Sequence, residues 1–194
     1  MSPNGSNLKK EIFTVPNILV YIRILLIPVF VLIYLNADSD GAYYTAFAVM
    51  VVAFLTDFFD GRIARRFNCV TDLGKTIDPI ADKLYQFSVA LCLMIKYHKL
   101  VLVAVLLFVK EISMGILGIV LISKGGSVFG AKWYGKFCTG YVDIAMVLFL
   151  VSPVLHFEFP PIFLDGLVYS CVVILVVVAI LYTKLFVNKI MELD

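Results

Sequence analysis

The sequence predicts an all-α polytopic membrane protein, with six transmembrane helices and a short N-terminal interfacial segment. Three observations predict it. Of 194 residues, 62% are hydrophobic and only 15% are charged, with a mean hydropathy of +1.00; a soluble domain of this length needs far more charge to cover its surface. The apolar residues fall in continuous runs near the ~20 residues that a helix needs to cross a bilayer, and they do not alternate as barrel strands do. The charges that remain gather between those runs. A net charge of +2 offers no argument for nucleic acid. Cys69, Cys92, Cys138 and Cys171 are scattered without a CxxC pair, so they read as buried or reduced thiols and not as a zinc site or disulfide framework.

Each span has its own boundary signals. The first runs from about Val15 to Leu35 and ends at the turn-like Asn36-Ala37-Asp38-Ser39-Asp40-Gly41. Lys9 and Lys10 precede it as in a signal peptide, but the run is long and lacks a clear small-residue cleavage site, so a retained helix is expected. The second runs from about Ala42 to Phe59 or a turn beyond, and the third from near Asp78 to Tyr97. The fourth covers Leu100 to Ile122 and is broken by Lys124-Gly125-Gly126-Ser127. The fifth runs from about Tyr134 to Leu155, and Pro160-Pro161 separates it from the sixth, Phe163 to Phe186. Residues 2–13, with Ile12 and Phe13 among charges, suit an amphipathic interfacial segment. No repeat or second domain is visible, so residues 1–194 are expected to form a single membrane domain.

Lysine and arginine set the expected orientation. With the N-terminus in the cytoplasm, that face receives Lys9, Lys10, Arg62, Arg65, Arg66, Lys75, Lys124, Lys132, Lys136, Lys184 and Lys189. The opposite face receives Lys96 and Lys99 with Asp38, Asp40, Glu158 and Asp165. The positive-inside rule therefore puts both termini in the cytoplasm. Most such lysines are ordinary anchors that snorkel to lipid phosphates, Lys124 and Lys184 among them. Tyr43, Tyr44, Trp133 and Tyr134 read as interfacial belts.

Four aspartates depart from this bland pattern. Asp57 and Asp60 are three apart, and Asp78 and Asp82 four apart, so on helices each pair shares a face. Carboxylates near membrane depth are costly and mark a functional site by default. Converging carboxylates stay ionised together only with a positive partner, and an oxygen-only set suits Mg²⁺, Mn²⁺ or Ca²⁺ and not zinc or copper. Four are enough for two ions sharing ligands, an arrangement that serves in-line displacement at phosphorus. Gly61 and Gly74 clear space beside the cluster, and Arg65 offers a planar fork to a phosphate. A lone DxxD at a helix end is ordinarily a solvated cap, but these four aspartates sit with two glycines and an arginine in a charge-poor chain.

The pattern Asp57-x2-Asp60-Gly61-x2-Ala64-Arg65-x8-Gly74-x3-Asp78-x3-Asp82 resembles, without a mismatch, the signature of the CDP-alcohol phosphatidyltransferase family over 26 residues. The resemblance implies transfer of a substituted phosphate from a CDP-linked lipid, CDP-diacylglycerol, to a polar alcohol with release of CMP. It implies Asp57, Asp60 and Asp78 as ligands to two divalent ions, Mg²⁺ or Mn²⁺. Asp82 would be the general base and also touch the second ion. Asp60, Gly61, Ala64, Arg65 and Gly74 would hold the cytidine diphosphate, and a homodimer is usual.

The acceptor is less sharply marked. Pro16-Asn17-Ile18-Leu19-Val20-Tyr21-Ile22-Arg23 resembles the Pro-Asn-x-Leu-Thr-x-x-Arg opening of the phosphatidylglycerophosphate synthase and cardiolipin synthase branch, with Val20 in place of Thr. The resemblance adds Asn17 to the nucleotide-binding residues. Lys110-Glu111-Ile112 is similar to that branch's Arg-Glu-Ile, and Gly135-Lys136-Phe137-Cys138-Thr139 to its Gly-Lys-x-Lys-Thr, with Cys138 replacing the second lysine. Glycerol 3-phosphate brings a dianionic phosphate that Arg23, Lys110, Lys132, Lys136 and Thr139 are expected to meet. It is the leading expectation, and phosphatidylglycerol, which needs fewer basic groups and gives cardiolipin, is second. Asp143 is a further intramembrane carboxylate, expected as a partner for Lys136 or Lys110 or as a group that supports the site from behind.

Rival classes explain less. A membrane prenyltransferase carries two aspartate motifs far apart in the chain, whereas one short loop separates them here. A divalent-cation transporter needs acidic residues along both halves of a path and some repeat symmetry, but the aspartates gather at one end. No feature supports a pure scaffold.

Overall fold

The computed structural model describes residues 14–66, 71–127, 130, 132–156 and 159–193, without the side chains of 16, 57–66, 72, 73, 75 and 76. These residues form six α-helices: α1 (Val15–Leu35), α2 (Asp40–Arg66), α3 (Asp72–Lys96), α4 (Val101–Ser123), α5 (Trp133–Val154) and α6 (Pro161–Met191). A 3₁₀ turn, His98–Leu100, leads into α4, and the described residues contain no strand. The expected interfacial segment at 2–13 lies outside the described residues.

Six spans are expected from the sequence; among the described residues, four helices are long and apolar enough to cross a membrane: Asn17–Leu35, His98–Ser123, Trp133–Val154 and Pro161–Met191. α2 offers a shorter apolar stretch, Asp40–Thr56, before its charges begin. Large apolar side chains face outward on the long helices, among them Leu25 at 68%, Ile119 at 69% and Ile180 at 61% exposure. A surface of that kind suits lipid and not water.

Two boundaries differ from the sequence expectation. α3 starts at Asp72 and not near Asp78. Proline is tolerated best in the first turn of a helix, where its missing N–H costs nothing. Instead Thr71 caps the helix earlier, accepting the Gly74 N–H at 3.0 Å, and Pro79 lies inside the helix, forfeiting the bond to the carbonyl one turn back. α6 runs on to Met191, past Phe186, because its long basic side chains keep their heads in water while the backbone stays helical.

The chain's contacts group it into two units, residues 1–92 and 93–194. In the first, α1 and α2 pack as an antiparallel hairpin through the turn at 36–39. Ala46, Met50 and Ala53 recur at helical spacing among the buried residues of α2, and small side chains let helices approach closely in lipid. Tyr34 stacks on Phe30 and meets Tyr43 edge-on, so Tyr43 is a packing residue as well as a belt residue.

In the second unit α6 is the shared partner, packing on both α4 and α5. Its buried stripe is Val168, Cys171, Leu175, Val178, Tyr182 and Phe186, at the three- and four-residue steps of one helix face. The end of α4 and the start of α6 follow the expected signals. Pro161 opens α6. Gly125, at φ +83°, closes α4, with Gly125 N–H donating to Ile122 O and Gly126 N–H to Leu121 O, which is a Schellman motif. Lys99 and Asp165, assigned to one membrane face from sequence, form an ion pair at 2.5 Å. Cys92, Cys138 and Cys171 are buried free thiols, as expected; Cys69 lies outside the described residues.

Candidate functional site

The aspartates sit on two consecutive helices. Asp57 and Asp60 lie near the end of α2, whose backbone stays helical through Gly61, Ala64 and Arg65. The side chains of these residues lie outside the described set. α3 carries the second pair. Gly74, Asp78 and Asp82 follow one another at four-residue steps, so they form a stripe along one face. The stripe continues to Gln86, which is buried. Its spacing from Asp82 was visible in the sequence, but an isolated glutamine in an apolar run gave no chemical signal.

Burial separates the two aspartates. Asp78 is half-buried, with its Oδ1 sealed from solvent. The Asp82 side chain is 54% exposed and pairs with Arg23, whose Nη1 donates to Asp82 Oδ1 at 2.6 Å. Arg23 itself is 2% exposed. A guanidinium taken out of water needs an anion and well-aimed hydrogen bonds; Asp82 supplies the anion and one of those bonds. Arg23, expected at the acceptor, is thus in contact with the expected base.

Asn17, expected among the nucleotide-binding residues, is buried, and its amide meets Thr71. Asn17 Nδ2 donates to Thr71 Oγ1 at 3.1 Å, and Thr71 Oγ1 lies 3.3 Å from Asn17 Oδ1. Gly74 packs into the same clasp, for a Cβ there would stand 2.7 Å from Asn17 Oδ1 and 3.0 Å from Thr71 Oγ1. The glycine is therefore required by its packing against Asn17 of α1. Thr71 was missed from sequence; the available signal was a Thr just before an acidic residue at a helix start.

The remaining acceptor candidates lie in the second unit. Lys110 is buried and pairs with Glu111 at 2.7 Å. It lines a groove of about 150 Å³ between α4 and α6 with Ser113, Thr183 and apolar neighbours. Lys132 and Lys136 are exposed, and Thr139 is half-buried. Cys138 is fully buried, so the position of the missing second lysine belongs to helix packing. Gly135 is pressed against Tyr182: a Cβ would overlap the Tyr182 hydroxyl and meet its ring at 2.9 Å. That hydroxyl accepts the Lys132 N–H at 3.0 Å, and the ring meets Tyr134 edge-on. Gly135→Ala is expected to destabilise the protein by ~1–3 kcal/mol through overpacking. Adding Tyr182→Phe, which removes the nearest atom, should recover part of the loss in detergent melting curves; strictly additive losses would discount the contact.

The donor chemistry fits hard divalent cations. Asp57, Asp60, Asp78 and Asp82 offer only carboxylate oxygen, the ligand type of Mg²⁺ and Mn²⁺. Among the described residues no three His, Cys, Asp or Glu side chains come together; the Asp57 and Asp60 side chains lie outside that set.

Comparison with known proteins supplies independent findings. A family model described as CDP-alcohol phosphatidyltransferase matches residues 13–187. A probable phosphatidylglycerophosphate synthase of Mycobacterium tuberculosis is 30% identical over 177 residues, covering 90% of this chain and 78% of its own length. A CDP-diacylglycerol–glycerol-3-phosphate 3-phosphatidyltransferase of Escherichia coli is 32% identical over 151 residues, covering 76% and 82% respectively. One of the same name from Rickettsia typhi is 46% identical over a shorter stretch of 81 residues, 42% of this chain and 45% of its own length.

Proposed function

Because this chain belongs to the CDP-alcohol phosphatidyltransferase family, we propose that it transfers the phosphatidyl group of CDP-diacylglycerol to glycerol 3-phosphate. The products are phosphatidylglycerophosphate and CMP. The observation that carries this choice of acceptor is Arg23, a buried guanidinium held 2.6 Å from the exposed carboxylate of Asp82. An acceptor with a phosphate at one end and a reacting hydroxyl at the other needs a cation beside the base. Arginine's planar fork suits such a phosphate. The names of the relatives above point to the same acceptor.

Asp82 takes the proton from the acceptor hydroxyl as that oxygen bonds to the phosphorus bearing the diacylglycerol. The bond from this phosphorus to the bridging oxygen breaks, and CMP leaves with that oxygen. Two divalent ions, Mg²⁺ or Mn²⁺, held by Asp57, Asp60, Asp78 and Asp82, would neutralise the pyrophosphate charge when bound. Gly61, Ala64, Arg65 and Gly74, with Asp60, hold the cytidine diphosphate, and Asn17 backs Gly74.

We read residues 1–194 as one functional domain of six spans working as a homodimer, with both termini and the active site at the cytoplasmic face. The lysine and arginine distribution supports that orientation. A cytoplasmic site lets a soluble acceptor arrive from water while the acyl tails stay in the bilayer.

A product assay tests the reading. Purified protein with CDP-diacylglycerol and Mg²⁺ or Mn²⁺ is given glycerol 3-phosphate or phosphatidylglycerol separately, and CMP and lipid products are followed. Phosphatidylglycerophosphate from glycerol 3-phosphate alone is expected. Cardiolipin from phosphatidylglycerol alone would replace the acceptor, and no CMP with either would sink the reading.

A further inference from the structure

We propose that Thr71 is a positioning residue for this transfer: by clasping Asn17 of α1 while capping α3, it fixes the register of the stripe that carries Asp78 and Asp82. The inference rests on the function proposed above for its consequence, and on geometry alone for the clasp.

One hydroxyl serves two helices. Thr71 Oγ1 accepts the Gly74 N–H at 3.0 Å, which satisfies an otherwise unpaired donor of the first turn of α3. The same oxygen takes the Asn17 amide at 3.1 Å. Asn17 is 2% exposed, so its amide has no bulk water to fall back on. A polar group buried in that way is costly to leave unsatisfied. Gly74 seals the arrangement, because any larger side chain there would push Asn17 away.

A second tie lies further along the same two helices, where Arg23 of α1 meets Asp82 of α3. Asp78 sits between the ties, one turn after Gly74 and one turn before Asp82. A single tie allows α3 to turn about its axis, whereas two ties bracketing Asp78 do not. The ion pair is itself part of the reacting machinery and changes when an acceptor phosphate arrives. The Thr71 clasp contains no charge and stays in place through that exchange. It is therefore the fixed reference for the aspartate stripe. Displacement of a reacting group by ~1 Å can cost about 10²-fold in rate.

Three variants test this. Thr71→Val keeps the shape and deletes the hydroxyl, Thr71→Ser restores the hydroxyl without the methyl, and Asn17→Ala removes the clasp while leaving the cap. Turnover is followed as CMP release with whichever acceptor supports it, which separates a wrong acceptor from a wrong role for Thr71. Hydrogen exchange over residues 72–78 is measured without metal or substrate.

Thr71→Val is expected to lose about 10–10² in kcat with KM little changed, and to exchange faster over 72–78. Thr71→Ser should lie close to the unaltered chain in both readouts. Asn17→Ala combined with Thr71→Val should be no worse than the more damaging single change, since both break one contact. Unchanged kcat and exchange in Thr71→Val would overturn the proposal, as would Thr71→Ser behaving like Thr71→Val, or losses that multiply in the double variant. Should Thr71→Val fail to accumulate, Asn17→Ala decides alone: faster exchange with lower kcat supports the clasp, and unaltered behaviour removes it.

Discussion

Asp82→Asn is expected to lower turnover by about 10²–10⁴-fold, the usual worth of a positioned general base, while CDP-diacylglycerol still binds. The substitution keeps the size of the side chain and an oxygen that can accept from Arg23, so α1 and α3 remain linked. It removes the basic oxygen proposed to take the acceptor's proton. The 54% exposure of Asp82 makes that proton's onward route to water short. The decisive comparison is kcat against CDP-lipid binding in the same preparation. Near-normal turnover would remove Asp82 as the base, and equal loss of binding and turnover would make it chiefly a metal ligand.

Arg23→Gln is expected to reduce kcat/KM for glycerol 3-phosphate by about 10–10²-fold, since a hydrogen bond to a charged group is worth ~1.5–3 kcal/mol. Arg23→Lys should fall between the two, because a lysine restores charge but not the planar fork. The loss should appear in the acceptor's KM more than in that of CDP-diacylglycerol. An even loss across both substrates, with a lowered melting temperature, would instead make Arg23 a structural counter-ion of Asp82. Steady-state kinetics with each substrate varied in turn distinguish these outcomes.

The same pair shows where sequence reading stops. Arg23 and Asp82 are 59 residues apart, and Asn17 and Thr71 are 54 apart. Each residue was noted for its chemistry, except Thr71, but nothing in the spacing along the chain links them. Arg23 was assigned to the acceptor and Asp82 to the base from separate motifs. On the proposed reading, their contact brings the acceptor's phosphate and its reacting hydroxyl to one ion pair. Likewise, Cys138 reads from sequence as a lost phosphate ligand, and in the fold as a sealed packing position. Gly135 reads as part of a phosphate motif, and in the fold as the space filled by Tyr182.

The sequence by itself determined the helical class, the breaks at Asn36–Gly41, Lys124–Ser127 and Pro160-Pro161, and the aspartate pattern. These are local properties: a helix follows from a run of apolar residues, a break from Gly or Pro, and a shared face from a three- or four-residue step. Tertiary structure decided the start of α3, the partners of Asn17 and Arg23, and which glycines are held by a neighbour. In those cases the energy comes from side chains far apart in sequence. A cap and a long-range clasp on Thr71 start α3 at Asp72 and carry Pro79 inside the helix. Burial of Asn17 and Arg23 then keeps water from replacing these partners.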